Sequence, residues 1–171
     1  MPGRGTVRRR DGGLPDEVTI AVHHALVLDS SVQVRPATWD DADAVAQLAA
    51  ELAQSFVFSR ERFDHAYAGV CTAAESRVLL AHRGEEAIGY LLGVRHHTFY
   101  ANGPVASVEE ILVREADRGE GTGHALMFAF ERWAAAGGCV LVTLATRRAE
   151  GFYLALGYEK TAVSFRKALP A

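Results

Sequence analysis

Apolar and polar positions change period several times along the chain, and each change marks an element. Val32-Gln33-Val34-Arg35 alternates strictly and Pro36 stops it, which predicts a short half-buried strand. Thr38 followed by Asp41 is a capping box with Asp in place of the usual Glu. Val45, Leu48, Ala49 and Leu52 then recur at i, i+3, i+4 and i+7, the stripe of an amphipathic helix. Ser59 is placed to cap a second helix running to about residue 73, burying Phe63, Ala66, Tyr67 and Val70. Residues 77–82 form an apolar strand, Gly84-Glu85-Glu86 a turn, and residues 87–97 a longer strand, so the two make a hairpin.

Asn102-Gly103-Pro104 breaks the pattern before another strand over 105–113. A Gly-rich turn at 118–123 leads into a helix over 125–136, with Leu126, Phe130 and Trp133 on one face and Gly137-Gly138 as its stop. A buried strand over 139–144, a short helix over 148–156 and a final strand over 158–167 complete the chain. The order is β-α-α-β-β-β-α-β-α-β. It predicts a mixed α/β (α+β) sheet, mostly antiparallel, that turns to parallel crossovers late in the chain.

Composition narrows the function. With 171 residues the chain fits one domain, assigned to 32–169, preceded by an extension over 1–31. A formal net charge of −3 argues against a basic nucleic-acid binder, and Arg8-Arg9-Arg10 is too small an electrostatic footprint to reverse that. Residues 1–17, rich in Gly, Pro and Arg, read as a flexible arm, and residues 19–28 as an added edge strand or a segment packed on a neighbour. No apolar run reaches the roughly 18 residues of a membrane span. Asp11, Asp16 and Glu17 spoil a secretory signal ahead of the apolar stretch that His23 and His24 interrupt. Cys71 and Cys139 stand far apart without a His cluster, which leaves no disulfide framework or zinc site and makes a reduced cytoplasmic setting the default. His96-His97 offers no metal triad.

The most informative stretch is Glu109-Glu110-Ile111-Leu112-Val113, followed by Arg118-Gly119-Glu120-Gly121-Thr122-Gly123-His124. Three alternating glycines stand directly before a helix whose first N–H groups have no internal acceptor. Glycine lets backbone approach a ligand closely, and the helix dipole favours an anion there, so the turn is a phosphate cradle with Arg118 as a fixed cation. It is neither a P-loop, because His124 stands where Lys is needed, nor a dinucleotide fingerprint, because that residue stands where the third Gly is needed.

What remains is Arg-x-x-Gly-x-Gly at Arg118, Gly121 and Gly123, the acyl-CoA diphosphate signature of the GNAT superfamily of N-acetyltransferases, which the sequence resembles. A second block, Arg147-Arg148-Ala149-Glu150-Gly151-Phe152-Tyr153-Leu154-Ala155-Leu156-Gly157-Tyr158, is similar to the family's C-terminal Phe-Tyr motif. The opening Val34-Arg35-Pro36-Ala37-Thr38 matches as well, so the resemblance runs from about 32 to 169 and is closest to the small-amine, polyamine-type branch. Gly151 inside a short helix departs from good helix chemistry. Thr146 stands where relatives often carry an Asn touching the CoA chain.

The resemblance implies the GNAT fold and acetyl transfer from acetyl-CoA, without a metal, to a primary amine in a ternary complex. An amine must first lose its proton, and Glu109 or Glu110 on the strand facing the acyl group would take it; strand neighbours point to opposite faces, so one of the two faces the acceptor, with Glu109 the first choice. A backbone N–H at Leu112 or Val113 would meet the charge developing on the thioester oxygen. Ile111, Leu112 and Val113 would pair through their main chain with the pantetheine amides. Arg118, Gly119, Glu120, Gly121, Thr122, Gly123 and His124 would hold the diphosphate, with Thr146 beside the chain. Tyr153 would contact the co-substrate and protonate the departing thiolate. Arg147 and Arg148 read as solvated cations. The acceptor cleft is expected between the first two helices and the loop near Tyr100. Protein N-terminal or lysine acetylation, or a non-catalytic acyl-CoA-binding module, are the alternatives. The partner expected is a small amine, with neither nucleic acid nor membrane, and a homodimer is common among such proteins.

Overall fold

The computed structural model describes residues 31–53 and 56–169. The expected arm over 1–17 and the segment 19–28 lie outside them. The chain runs β1 (Val32–Pro36), a 3-10 turn (Trp39–Asp41), α1 (Ala42–Leu52), α2 (Arg60–Thr72), β2 (Ser76–Arg83), β3 (Glu86–His97), β4 (Pro104–Val113), a second 3-10 turn (Glu115–Asp117), α3 (Thr122–Ala136), β5 (Leu141–Leu144) and α4 (Glu150–Ala155). One five-stranded sheet has the order β1-β2-β3-β4-β5, antiparallel except for the parallel β4–β5 pair. This is the mixed sheet that the period changes predict.

Each face of the sheet buries its own core because strand side chains alternate. Val45, Leu48, Tyr67, Val78, Leu80 and Tyr90 close the face under α1 and α2. On the opposite face Leu79, Leu91, Ala106, Val108, Leu126, Met127 and Phe130 pack beneath α3. Contact there is close enough that a Cβ at Gly93 would run into the Phe130 ring and lie 2.9 Å from the Ser107 carbonyl oxygen. Ala66, expected in the core, is exposed on α2.

Three boundaries differ from the pattern-based reading. The helix expected over 125–136 starts at Thr122, so Gly123 and His124 belong to its first turn, behind Gly121 at φ +86°. Strand β5 starts at Leu141 because Gly138, at φ +75°, closes α3, and the Cys139 N–H reaches back to the Ala134 carbonyl at 3.0 Å. Finally, the strand expected over 158–167 is absent. Tyr158 is anchored, its hydroxyl donating to Glu131 Oε1 at 2.8 Å and its N–H to the Tyr153 carbonyl at 3.0 Å. Beyond it the alternating Val163 and Phe165 stay 78% and 90% exposed. A strand needs an edge to pair with, and the four-residue β5 does not pair with this segment.

The start of the α1 region is tied down as the capping box predicts. The Asp41 carboxylate accepts from the Thr38 N–H at 2.7 Å and hydroxyl at 2.9 Å, and both its oxygens accept from the Arg35 guanidinium at 2.7 Å. These donors, the guanidinium first, hold the Asp41 carboxyl well below the usual carboxylate range. Stability from a lowered pKa is complete above the unfolded value of about 3.9 and is lost as pH falls through the folded one. Asp41→Asn is therefore expected to cost about 1 kcal/mol at pH 7 in urea unfolding. The gap from the parent should narrow steadily in the same measurement as pH falls below about 4; a gap that stays constant there would show that the carboxylate charge is not what matters.

Candidate active site

The register of β4 sets the geometry. Leu92 pairs with Glu110 but Gly93 pairs with Val108, so Glu109 is an extra residue, a β-bulge. Because side chains alternate with period two, one inserted residue exchanges the faces of everything after it. Ala106 and Val108 point into the core beneath α3, and beyond the bulge so do Ile111 and Val113, while Leu112 joins the core under α1 and α2. Glu110 falls on the α1/α2 face as well, and Glu109 is left exposed.

On that face lies a cavity of about 470 Å³, walled by α1, the chain leading into α2, α2 itself, and Val78, Tyr90 and Leu92 of the sheet. Its lining is predominantly aliphatic and aromatic. Among the described residues Glu110 is the only carboxylate that lines it, and Arg62 is the only cation. The Tyr90 hydroxyl donates to Glu110 Oε2 at 2.7 Å. Tyr90 is 1% exposed, and burial followed by this bond to a carboxylate raises its pKa far above the phenol range, so the proton stays on the tyrosine. The neighbouring Tyr67 is likewise raised, by burial first and then by Cys71, and donates to the Thr38 carbonyl at 2.7 Å. Tyr100, His96 and His97 are exposed and do not line this cavity.

The other side of β4 is open. Strand β5 pairs with it only from Val105↔Leu141 to Val108↔Leu144 and then parts from it. The Arg114 N–H donates to the Ile88 carbonyl at 2.9 Å. In an antiparallel ladder every second residue bonds to the partner, so Leu112 and Glu110 face β3, and Ile111 and Val113 turn their main-chain groups to the edge that β5 leaves. Of the two expected donors, Val113 thus offers its N–H at the open edge and Leu112 does not. The Val113 carbonyl on this edge accepts from Arg118 Nε at 3.0 Å.

That edge leads straight into the glycine turn. Gly119 and Gly121 sit at φ +84° and +86°, conformations that favour glycine, and a Cβ on Gly119 would meet nothing within 4 Å. The turn is braced from β2, where Arg83 pairs with both Asp117 and Glu120. The Thr122 hydroxyl is buried and donates to the Asp117 carbonyl at 3.5 Å. Glu120 and Thr122 therefore offer the cradle their amides rather than their side chains. Gly123 has a further duty: a Cβ there would lie 3.1 Å from Phe152 Cζ, and His124 packs edge-on against the same ring at 5.1 Å between centroids.

Tyr153 on α4 is 7% exposed and its pKa is raised by burial. Among the described residues nothing accepts a hydrogen bond from its hydroxyl. Thr146 is exposed at the end of β5, where its Oγ1 accepts from the Ala149 N–H at 3.1 Å. Arg83 and Tyr90 escaped the motif reading, since neither belongs to a spaced pattern; the odd Tyr in the apolar run 88–92 was the one available signal. The cavity itself lies beside the first two helices, where the acceptor cleft is expected, but without the loop near Tyr100.

Comparison with known proteins gives the family and the fold. The family model described as the acetyltransferase (GNAT) family matches residues 42–158. Aminoalkylphosphonate N-acetyltransferase of Salmonella typhimurium is 30% identical over 142 residues, spanning 80% of this chain and 91% of that protein. Glucosamine-6-phosphate N-acetyltransferase from Arabidopsis thaliana superposes with a TM-score of 0.72 at 16% identity, over 81% of this chain and 99% of its own. AAC(6')-Iy, solved with the bisubstrate analog CoA-S-monomethyl-acetylneamine, gives a TM-score of 0.70 at 21% identity, over 82% and 100% of the two chains. A transcriptional regulator from Bacillus halodurans has the same fold, with a TM-score of 0.73 at 21% identity over 81% and 99%. The family match covers more than half of the chain: it belongs to the acetyltransferase (GNAT) family and is an acyltransferase.

Proposed function

We propose that this acyltransferase moves the acetyl group of acetyl-CoA to the primary amine of a small molecule by direct attack with both substrates bound. One observation carries the reading. A single strand, β4, presents Glu110 to an acceptor-sized cavity on one face and, beyond the end of its pairing with β5, the main chain of Ile111 and the Val113 N–H to an open edge that leads to the glycine cradle. The co-substrate would supply an activated acetyl thioester. Its fit is supported by the open space before Gly119, the unpaired strand edge and the cationic Arg118.

In this reading the amides over 119–124 and the Arg118 guanidinium hold the diphosphate, because helix-start N–H groups and a planar cation both favour an anion. Ile111 and Val113 continue the ladder to the pantetheine amides, with Thr146 on the far side of the gap, and the Val113 N–H stands as donor where the carbonyl oxygen gains charge. Glu110 accepts the proton that an ammonium must lose, directly or through a water, and the Tyr90 hydroxyl fixes the carboxylate that does so. Glu109, exposed at the bulge, has no such cavity before it. Tyr153 gives a proton to the sulfur that leaves. Burial raises its pKa, so the hydroxyl carries its proton at neutral pH; the same rise makes it a weaker donor, and the proton moves as negative charge builds on the sulfur. The relative's action on aminoalkylphosphonates and the aminoglycoside-derived ligand of AAC(6')-Iy support a small amine as acceptor rather than a protein.

Three measurements test this. Calorimetric titration with CoA should show saturable binding, and Arg118→Ala should weaken it about tenfold, the loss of a charge-assisted hydrogen-bonding partner. A flat titration of the parent protein would remove the proposal altogether. Tyr153→Phe should lower kcat on a good amine by about a hundredfold with little change in CoA affinity, and without an alkaline loss below about pH 10 in the parent; equal losses in kcat and affinity would reassign Tyr153 to binding. Glu110→Gln should lower kcat/KM by about 10² or more, while Glu109→Gln stays near the parent. The reverse order of the two would return the base to the bulge residue.

A further inference from the structure

The acceptor cavity, taken as the amine site of the proposed transfer, has a composition that selects among amines. We infer that it takes a monoamine carried on an extended apolar body, alkyl or arylalkyl, rather than a polycation or a short anionic amine. The argument is charge complementarity combined with the walls. Among the described residues a single carboxylate, Glu110, lines the cavity, and it is already oriented by Tyr90. One ammonium can therefore be matched at the sheet. A second ammonium along the cavity would lie against Val45, Leu52, Phe63 and Leu92, losing its hydration with no anion in exchange. At the mouth it would meet Arg62, a like charge.

The entrance supports the same class. Phe56 and Val57, on the chain between α1 and α2, are 76% and 97% exposed and both line the cavity. An apolar body lying between them and α2 would take those side chains out of water, whereas a polyhydroxylated or polycationic acceptor would leave them wet or desolvate its own polar groups. A volume of about 470 Å³ is within the range of sites for small organic molecules and exceeds the need of a two-carbon amine.

The test is a series of primary amines assayed for CoA release from acetyl-CoA by the full chain: butylamine, hexylamine, octylamine, 4-phenylbutylamine, spermidine and 2-aminoethylphosphonate. Burying each added methylene should raise kcat/KM about fourfold, so octylamine should exceed butylamine by well over tenfold. A calorimetric titration of octylamine into the CoA-bound protein should show binding that spermidine does not. Ala66→Asp places a second carboxylate on the exposed cavity wall of α2 without touching the core. It should lower kcat/KM for octylamine about tenfold and raise that for 1,8-diaminooctane relative to octylamine. A flat or falling alkyl series, or spermidine or 2-aminoethylphosphonate exceeding octylamine tenfold, would overturn the apolar-monoamine assignment while leaving acetyl transfer intact. Absence of CoA release with every amine, in a protein that still binds CoA, would overturn the transfer reading and this inference with it.

Discussion

One inserted residue in β4 governs the two faces of this molecule. Up to Val108 the strand keeps its apolar side chains beneath α3; with no insertion, strict alternation would drive Glu110 and Leu112 into that same core, against Met127 and Phe130. A carboxylate buried there without a partner would cost several kcal/mol, comparable to a large part of a domain's net stability. The bulge at Glu109 resolves the conflict locally. It leaves the charge that cannot be buried in solvent, and it turns the next one to a cavity where Tyr90 can meet it. Core packing and placement of the candidate base are thus one event, not two.

A second constraint works from the far end of the same strand. A helix start that gathers an anion on bare amides needs a rigid turn, yet the residues that make it open, Gly119 and Gly121, are those with the most conformational freedom to lose. Arg83 supplies the rigidity by reaching from β2 to Asp117 and Glu120 at once. The same pairing offsets part of the charge of two carboxylates that would otherwise repel the proposed diphosphate. Placement of Phe152 over Gly123 then couples α4, and with it Tyr153, to the start of α3.

Much of this was legible in the residues. Alternation at 32–35, the i, i+3, i+4, i+7 stripe at 45–52 and the Gly-Gly stop at 137–138 correspond to observed elements, since each depends on local sequence alone. The glycine turn announced itself because positive φ demands a special residue. What escaped was non-local. Whether Glu109 or Glu110 faces the cavity depends on a register against β3 that neither residue encodes, and an alternating run such as Thr161-Ala162-Val163-Ser164-Phe165 looks like a strand although its neighbours offer it no paired edge. The cleft is expected beside the first two helices, but which of their residues line it was not legible. Ala66 and Phe63 carry the same helical periodicity as core residues, and only the spacing of α1 and α2 over the sheet decides which of them face a hollow.

The tyrosines illustrate how burial divides labour among identical side chains. Tyr90, Tyr153 and Tyr158 all have their pKa raised by desolvation, so desolvation alone does not tell them apart. Their hydrogen bonds do. Tyr90 commits its proton to Glu110 and Tyr158 to Glu131, whereas the Tyr153 hydroxyl has no acceptor among the described residues. The Tyr153 ring is buried, but its hydroxyl oxygen is not among the buried polar atoms left without a partner and so keeps access to solvent. In the proposed reaction that accessible hydroxyl meets an acceptor brought by the substrate, the sulfur that departs from an acetyl thioester. Two of the three hydroxyls are thus held by carboxylates, and in the proposed reaction the third is the one available to protonate the departing sulfur.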